Sequence, residues 1–240
     1  MSEEVRPISE LEKKLGYKFK NRTYITVALT HSSYSNEMRS KGEILPFNER
    51  LEFLGDSVLS IVVSSYLFEK YKNKQEGDLT KIRAAVVCEK ALAKFASEID
   101  LGDYMFLGRG ESSTGGRTRP SVTSDAFEAV LAAMYLDNDC KFDKIADFLL
   151  PFIEKEIEHI DGEGAFEDYK TKLQQLSQQA NGEILEYVLV GEKGPDHDKV
   201  FDIEARLNSN VIGRGSGKTK REAEQKAAHE ALILFGEITK

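Results

Sequence analysis

The sequence Asn48-Glu49-Arg50-Leu51-Glu52-Phe53-Leu54-Gly55-Asp56-Ser57-Val58-Leu59 combines an acidic and an apolar stripe at helical spacing. At about 100° per residue, Glu49, Glu52 and Asp56 fall on one face of a helix. The opposite side is apolar and is predicted to pack in a core, through Leu51, Leu54, Val58, Ile61 and Val62. The stretch therefore predicts a helix with a buried side and a side of like charge.

An acidic stripe of this kind is often an ordinary solvated helix face. Two features favour a functional site instead. Glu52 and Asp56 form an unrelieved like-charge pair, which costs about 0.2–0.5 kcal/mol. Gly55 costs about 1 kcal/mol relative to alanine inside a helix, which suggests that another backbone or a ligand approaches it closely. Neighbouring carboxylates beside such a glycine suit a hard divalent cation.

A second acidic helix is predicted over residues 121–136. Asp125 and Glu128 lie three residues apart there, beside Ala129 and Ala132 rather than beside cations. Such carboxylates are expected to be partly buried and to need a partner, either a metal ion or a distant Lys or Arg. The two acidic helices suggest one shared site. Because the first part of the chain shows no convincing alternating strand, it is predicted to be all-α.

Composition restricts the class of protein. The chain has 240 residues, 40% hydrophobic and 31% charged, which is typical of a soluble protein with one large or two smaller domains. We expect a cytoplasmic protein without membrane association, because residues 1–20 lack a signal-peptide pattern and the apolar run 58–68 is short. Cys88 and Cys140 have no zinc or disulfide spacing and are predicted to be core residues. With a net charge of −8, any nucleic-acid contact must come from local basic clusters.

The segments between the acidic helices give weaker signals. Residues 35–47 are predicted to form a loop, and Asp78 to cap a helix over residues 79–98. Residues 101–123 are either a mobile connector or a basic loop that contacts phosphates. His31 is expected to cap or pack a helix end, without a chemical role.

The last third of the chain has a different character, beyond an acidic segment that contains Gly162 and Gly164. Its hydrophobic pattern predicts the order α-β-β-β-α, with helices over residues 166–180 and 218–235, strands over residues 184–190, 200–207 and 211–215, and a hairpin turn at Asn208-Ser209-Asn210.

A glycine-rich turn, Gly213-Arg214-Gly215-Ser216-Gly217-Lys218-Thr219, precedes the last helix. It resembles a nucleotide-binding P-loop but lacks the required spacing, so no nucleotide cofactor is predicted. Lys218, Lys220 and Arg221 are predicted in the first turn of this helix, where the macrodipole disfavours cations unless an anion binds. The alternative is a solvated basic turn.

Together, the motif of residues 48–59, the sequence SDAFEA of residues 124–129 and the C-terminal unit resemble bacterial ribonuclease III. The resemblance extends from about Leu11 to Phe235. It implies an all-helical endonuclease domain that forms a homodimer, followed by a small α+β double-stranded RNA-binding domain. The implied boundaries are residues 1–155 for the catalytic domain, 156–165 for a flexible linker and 166–240 for the RNA-binding domain.

The resemblance also implies roles for individual residues. It assigns metal binding to four acids, Glu52, Asp56, Asp125 and Glu128, with Asp56 and Glu128 as catalytic residues. Glu49 and Glu76 match further acids of the cleft, although Glu76 by spacing alone is a solvated loop acid. Phe53 matches a position in the dimer interface, and the alternative for Phe53 is the core of its own domain. Seven residues match RNA-contacting positions: Thr171, Gln174, Gln178, His197, Lys218, Lys220 and Arg221.

The implied activity is hydrolysis of double-stranded RNA with Mg²⁺, for which Mn²⁺ is expected to substitute. Four carboxylates can hold the ion, which stabilises negative charge on the phosphate and activates water. In-line attack is expected to give 5′-phosphate and 3′-hydroxyl ends with short 3′ overhangs, in rRNA and mRNA processing. Two alternatives remain: a double-stranded RNA-binding protein whose nuclease fold has become structural, and a regulator that binds RNA without cutting it.

Overall fold

The computed structural model describes residues 5–162, 169–179, 184–195 and 199–238. The chain divides into two compact units, Met1–Ile160 and Asp161–Lys240. The helices of the first unit are α1 (Ile8–Leu15), α2 (Arg22–Ala28), α3 (Ser32–Arg39), α4 (Glu49–Lys70), α5 (Glu76–Val86), α6 (Glu89–Glu98), α7 (Arg109–Ser113), α8 (Pro120–Asp137) and α9 (Asp143–Gly162). An isolated parallel bridge between Thr30 and Phe106 is the only β pairing in the described part of this unit. The prediction of an all-α first domain is therefore confirmed.

Helix α8 runs through the core of the first unit, where Ala126, Phe127 and the residues from Ala129 to Met134 are buried. It packs mainly against α4. By length and composition alone α4 could span a membrane. However, it buries Val58, Leu59 and Val63 inside this domain, which is the pattern of a core helix.

Three local predictions are wrong. Residues 35–47 are not wholly a loop, because α3 extends to Arg39. Its N-terminus is capped by His31, whose Nδ1 accepts a hydrogen bond from the Ser33 N–H at 3.2 Å. Asp78 is not an N-cap, because α5 already begins at Glu76. The predicted single helix over residues 79–98 is broken at Cys88, whose extended backbone separates α5 from α6.

The segment of residues 101–123 is folded rather than a plain connector. It contains α7 and two short 3₁₀ turns, and it leads into α8. The Arg117 guanidinium donates hydrogen bonds to the carbonyls of Gly102 and Met105 at 2.7 and 3.0 Å. Arg119 pairs with Glu111. Of the arginines in this segment, Arg117 and Arg119 therefore stabilise its fold. The side chain of Arg109 is instead 91% exposed.

Both cysteines are exposed, so the prediction that they belong to the core is wrong. Cys88 precedes the first turn of α6. Cys140 lies in the turn after α8, with a positive φ of 59°. Both positions lie between helices, where the helical periodicity that predicts burial does not apply.

The second unit contains α10 (Tyr169–Gln179), β1 (Leu185–Lys193), β2 (Val200–Leu207), β3 (Asn210–Gly217) and α11 (Lys220–Leu234). The strands form an antiparallel sheet in the order β1-β2-β3. Asn208 and Ser209 form the predicted hairpin turn with φ of 50° and 69°, as a type I′ turn requires. The core consists of Leu173, Ile203 and Ala205 with the alanines of α11. This confirms the α-β-β-β-α order.

Helix α9 continues to Gly162. Residues 156–162, which the sequence assigns to the flexible linker, are therefore helical. Residues 163–168 lie outside the described residues, and the domain boundaries remain a prediction.

The glycines of β3 explain the resemblance to a P-loop. A Cβ atom at Gly213 would lie 2.2 Å from the carbonyl oxygen of Ala227, and one at Gly215 would lie 2.1 Å from that of Ala223. The strand and α11 thus touch backbone to backbone, so these glycines serve helix–sheet packing. Because Thr219 caps α11 and Lys220 is its first residue, the prediction that Lys218 stands inside the first turn is wrong.

Candidate active site and RNA-binding surface

The two acidic helices meet at Gly55. A Cβ atom at this residue would lie 2.0 Å from the carbonyl oxygen of Glu128 and 2.4 Å from its carbonyl carbon. The close backbone approach expected from a glycine inside α4 is therefore present, and the approaching backbone belongs to an acid on α8. The contact holds the acidic side chains of both helices in one region.

The acids of the two helices interact electrostatically. Glu52, Asp125 and Glu128 are partly buried and Asp56 is exposed. Burial raises the pKa of Glu128 to about 7, with further contributions from Asp56, Glu52 and Asp125. Burial likewise raises the pKa of Glu52, with contributions from Asp125 and Glu49. The neighbouring negative charges therefore make Glu128 and Glu52 harder to ionise.

Asp125 has two further neighbours that the sequence analysis did not place here. Burial raises the pKa of Asp125, and the negative charge of Glu89 raises it further. The Ser124 hydroxyl and His31 act in the opposite direction and lower this pKa. The Ser124 Oγ lies 3.4 Å from the Asp125 Oδ1. Glu89 is the first residue of α6 and His31 is the N-cap of α3. Neither shares a helical face or a spacing with Asp125, so no sequence signal links them.

The donor set suits a hard cation. Within the described residues, no Lys or Arg forms an ion pair with Glu52, Asp56, Asp125 or Glu128. The alternative of a distant Lys or Arg as partner therefore has no support. In the described part of the chain, no three His, Cys, Asp or Glu side chains lie close enough together to coordinate a metal ion as they stand. The carboxylates nevertheless supply several oxygens without counter-charge, which is the chemistry that Mg²⁺ or Ca²⁺ requires.

The two accessory acids differ in position. Glu49 is exposed on the first turn of α4, and it contributes to the raised pKa of Glu52. Glu76 is exposed at the start of α5, where its carboxylate accepts a hydrogen bond from the Thr80 hydroxyl at 2.9 Å. Glu76 is not among the groups that shift the pKa of Glu128, and its role in the cleft remains a prediction.

An exposed apolar stripe runs along α4. Phe53 is 80% exposed, Ile61 48% and Phe68 66%. On a helix these three positions lie within an arc of about 80°, and we call them the α4 stripe. The alternative that Phe53 belongs to the core of its own domain is wrong, as is the prediction that Ile61 is a core residue. The side of α4 that packs on α8 is narrower than the apolar pattern suggests.

The predicted RNA-contacting residues of α10 share one exposed face. Thr171, Gln174 and Gln178 are exposed, whereas Leu173 and Ser177 between them are buried. His197 lies outside the described residues.

The start of α11 presents three exposed cations, Lys218, Lys220 and Arg221. The Glu222 N–H donates to the Thr219 hydroxyl at 3.1 Å, and the Glu222 carboxylate accepts from the Lys218 N–H at 2.8 Å. The Lys220 Nζ lies 5.7 Å from the centre of the Phe201 ring. Within the described residues, neither Lys220 nor Arg221 pairs with a carboxylate. Their charges therefore remain available to an anion.

A helical domain with facing acidic helices, followed by an α-β-β-β-α domain with exposed cations, defines a class of nuclease that carries its own nucleic-acid-binding module. Comparison with known families agrees with this class. Residues 21–156 match the family described as ribonuclease-III-like, and residues 169–234 match the double-stranded RNA binding motif.

Individual relatives extend the similarity over most of the chain. Ribonuclease 3 of Natranaerobius thermophilus is 46% identical over 232 residues, which cover 97% of this chain and 98% of that protein. Ribonuclease 3 of Listeria monocytogenes is 46% identical over 226 residues, covering 93% and 95%. The solved nuclease domain of ribonuclease III from Campylobacter jejuni is 43% identical, covers 62% of this chain and 98% of its own, and has a TM-score of 0.55.

The chain belongs to the ribonuclease III family, as an endoribonuclease with a double-stranded RNA-binding domain. Membership of this family implies a requirement for a divalent metal ion.

Proposed function

We propose that the protein hydrolyses phosphodiester bonds of double-stranded RNA with Mg²⁺, and that Mn²⁺ substitutes for it. The observation that carries this proposal is the unneutralised group of carboxylates on α4 and α8, joined at the contact between Gly55 and Glu128. We propose products with 5′-phosphate and 3′-hydroxyl ends and short 3′ overhangs. The substrates we propose are rRNA and mRNA precursors in the cytoplasm.

Glu52, Asp56, Asp125 and Glu128 would hold the ion through their carboxylate oxygens. When bound, Mg²⁺ supplies positive charge at the phosphate and lowers the pKa of water. The two helices position these carboxylates relative to one another. Glu52 and Asp56 stand one turn apart on α4, and Glu128 is fixed opposite them through its main chain. This rigidity favours catalysis because a preorganised site requires little rearrangement during the reaction.

The catalytic domain is proposed to form a homodimer through the α4 stripe, in which each subunit cuts one strand. Three large apolar side chains exposed on one helix face are typical of an interaction surface. The solved nuclease domain of the Campylobacter jejuni ribonuclease III is described with a region involved in dimer formation. Phe53 is the most exposed member of the stripe and is proposed as a central contact.

Binding of RNA is proposed to use both helices of the second unit. Thr171, Gln174 and Gln178 would contact 2′-hydroxyls and bases in the minor groove. Lys220 and Arg221, with Lys218 beside them, would contact phosphates. Recognition of this kind depends on the shape of the RNA helix, over about 16 base pairs. His197 is proposed as a further contact.

Cleavage of a labelled, fully paired RNA duplex tests the proposed function. We expect the wild type to cut with Mg²⁺ or Mn²⁺ and not after chelation. Glu128→Gln should bind the duplex with unchanged affinity and cut it at least 100-fold more slowly, because the charge on one ligand is lost. Glu10→Gln, at an exposed acid of α1, is the matched control and should cut like the wild type.

The same experiment separates the alternatives. Binding without cutting by the wild type, with every divalent ion tried, would favour a double-stranded RNA-binding protein with a structural nuclease fold. Cutting with Mn²⁺ but not with Mg²⁺ would favour the second alternative, a regulator that binds RNA without cutting it under ordinary conditions. Normal cutting by Glu128→Gln would refute the proposed metal site. Sequencing the product ends tests the proposed end chemistry.

A further inference from the structure

We propose that Arg83 of each subunit is a positioning residue for the active site of the other subunit, where it donates hydrogen bonds to the carboxylate of the partner's Asp56. The proposal rests on the proposed homodimer through the α4 stripe and on the proposed metal role of Asp56. It gives a function to an arginine near the end of α5.

Arg83 is a half-buried cation with few partners inside its own subunit. Its side chain reaches from α5 to α4, where Nη1 donates a hydrogen bond to the Ser64 hydroxyl at 2.9 Å. In the part of the chain that the structure describes, the guanidinium makes no other hydrogen bond and no ion pair. A guanidinium carries five N–H donors and a permanent charge, so a partly desolvated one favours an anion as a further partner.

The α4 stripe and the serines between its members have the same order of residues in both directions. From the N-terminal end, this face of α4 reads Phe53, Ser57, Ile61, Ser64 and Phe68. Each serine lies four residues from the nearer phenylalanine, and Ile61 lies close to the midpoint. A two-fold axis near Ile61 therefore maps this face onto itself, as a homodimer interface requires. In such an antiparallel pair, Ser64 lies opposite the partner's Ser57.

Helix α5 covers the flank of α4 that also carries Asp56. It follows α4 after a short turn and packs against it. In the C-terminal half of α4, Val63 and Leu67 are buried, whereas Ser65 and Glu69 on the opposite flank are exposed. On a helix, Asp56, Val63 and Leu67 lie within an arc of about 40°. The arginine of α5 therefore lies on the same flank as Asp56, farther along the helix.

Two-fold symmetry brings the arginine and the acid of opposite subunits together. The antiparallel pair keeps this flank of both helices on one side of the dimer, so Arg83 lies at the level of the partner's Asp56. Asp56 is exposed and forms no ion pair within the described residues of its own subunit. The pairing thus sets an uncompensated cation against an uncompensated anion, which favours association in this orientation.

A parallel pairing of the two α4 helices lacks this complementarity. It would place Arg83 at the level of the partner's Arg83, and Asp56 at the level of the partner's Asp56, so that neither charge is compensated. In the antiparallel dimer, Arg83 orients a metal ligand of the other chain. Loss of such an orienting partner costs about 10- to 100-fold in metal affinity or activity.

Mixed dimers of full-length chains test whether Arg83 acts across the interface. Two chains with different affinity tags are coexpressed, and dimers that carry both tags are isolated. In the first mixed dimer, one chain carries Glu128→Gln and the other Arg83→Gln, so the intact acids still meet an intact Arg83 from the other chain. In the second, one chain carries both substitutions and the other is wild type, so the intact acids meet the substituted side chain.

We expect the first mixed dimer to nick a labelled RNA duplex about 10- to 100-fold faster than the second. The first should approach the rate of one wild-type site. Lys81→Gln, at an exposed cation of the same helix, is the matched control. When it replaces Arg83→Gln, the two mixed dimers should cut at equal rates. If Arg83→Gln lowers the unfolding temperature, Arg83→Lys takes its place with the same expected order, because lysine retains the charge and the apolar stem but not the planar fork of donors.

The reverse order, or equal rates in the two Arg83 mixed dimers, would overturn the proposal. An arginine that acts in its own subunit, or that only holds α5 against α4, leaves the wild-type chain of the second dimer active. Absence of any dimer that carries both tags would overturn it as well.

Homodimers measured in parallel separate this proposal from the proposed function. If the wild type does not cut, or if Glu128→Gln cuts normally, the proposed function fails and the role of Arg83 fails with it. If the wild type cuts, Glu128→Gln does not, and the mixed dimers cut in the reverse order, the active site is real and only the role of Arg83 is refuted.

Discussion

Gly55 and Glu128 touch through their main chains: a Cβ atom at residue 55 would lie 2.0 Å from the carbonyl oxygen of Glu128. The catalytic domain therefore requires glycine at this position inside α4, although glycine is unfavourable inside a helix. The contact connects folding with function, since it sets the separation of the two helices that carry the acids.

Gly55→Ala is expected to destabilise the catalytic domain by about 2 kcal/mol or more, because neither backbone can move away without repacking the core. The rate of RNA cleavage should fall together with the stability of this domain, whereas binding of RNA by the second domain should persist. Denaturant unfolding and cleavage assays at the same temperature measure both effects. Gly77→Ala is the control, since no heavy atom lies within 4 Å of its Cβ position on α5. Equal stability of the two variants would contradict the close contact.

Gly215→Ala should unfold or loosen the RNA-binding domain selectively. Its Cβ atom would lie 2.1 Å from the carbonyl oxygen of Ala223, so β3 and α11 would have to separate, at a cost of about 1–3 kcal/mol. We expect RNA affinity to drop at least 10-fold while the catalytic domain retains its unfolding transition. Val211→Ala, at an exposed position of the same strand, should leave both properties unchanged; a similar loss in that variant would argue against the packing explanation.

Asp137 should stabilise the catalytic domain in a pH-dependent way. It is 5% exposed and accepts hydrogen bonds at 2.8 Å from the Tyr17 hydroxyl and from the N–H groups of Lys20 and Asn21. Burial alone would raise the pKa of Asp137, but these hydrogen bonds outweigh burial and lower it. Asp137→Asn is expected to cost about 1.5–3 kcal/mol at pH 7.

The sign of this pH dependence follows from the lowered pKa. The contribution of Asp137 is complete above the pKa of about 3.9 of an unfolded Asp, and it disappears as the pH falls through the lower pKa of the folded protein. The difference in unfolding free energy between wild type and Asp137→Asn should therefore shrink below pH 4, as urea unfolding at several pH values would reveal. Asp139→Asn, at a 72% exposed side chain, should show no such trend. A difference that grows toward low pH would refute this account.

Phe53→Asp is expected to weaken the proposed homodimer at least 10-fold, because aromatic anchors at the centre of an interface often contribute 2 kcal/mol or more. The fold of the subunit should be unaffected, since the side chain is 80% exposed within its own domain. Sedimentation velocity over a range of concentrations measures the association. Leu234→Asp, at a 67% exposed residue of the second domain, serves as the control. A dimer of unchanged strength would place the interface elsewhere.

The sequence predicted those features that depend on periodicity or on turn chemistry. The acidic face of α4, the close approach at Gly55 and the hairpin turn at Asn208 follow from spacing and from residues that tolerate special backbone geometry. The exposure of Cys88 was not predictable in this way, because it depends on where two helices end. The approach of Glu89 to Asp125 depends on tertiary packing alone, which no local pattern records.

The exposure of Ile61 had another cause. The apolar arc of α4 is wider than the part that α8 covers, and only the structure separates the core-facing side from the α4 stripe. In the second domain, the glycines of β3 could be recognised as unsuited to a P-loop, but their purpose became clear only beside the alanines of α11.

The direct contact between α4 and α8 also has a consequence for the evolution of this enzyme. The acids belong to two helices whose separation is set at Gly55 by main-chain contact, and not by the length of the chain that joins them. Insertions or deletions in surface turns between these helices, such as the one around Asn73, should leave the ligands in place. Surface loops of this nuclease can therefore diverge in length and sequence without loss of the active site.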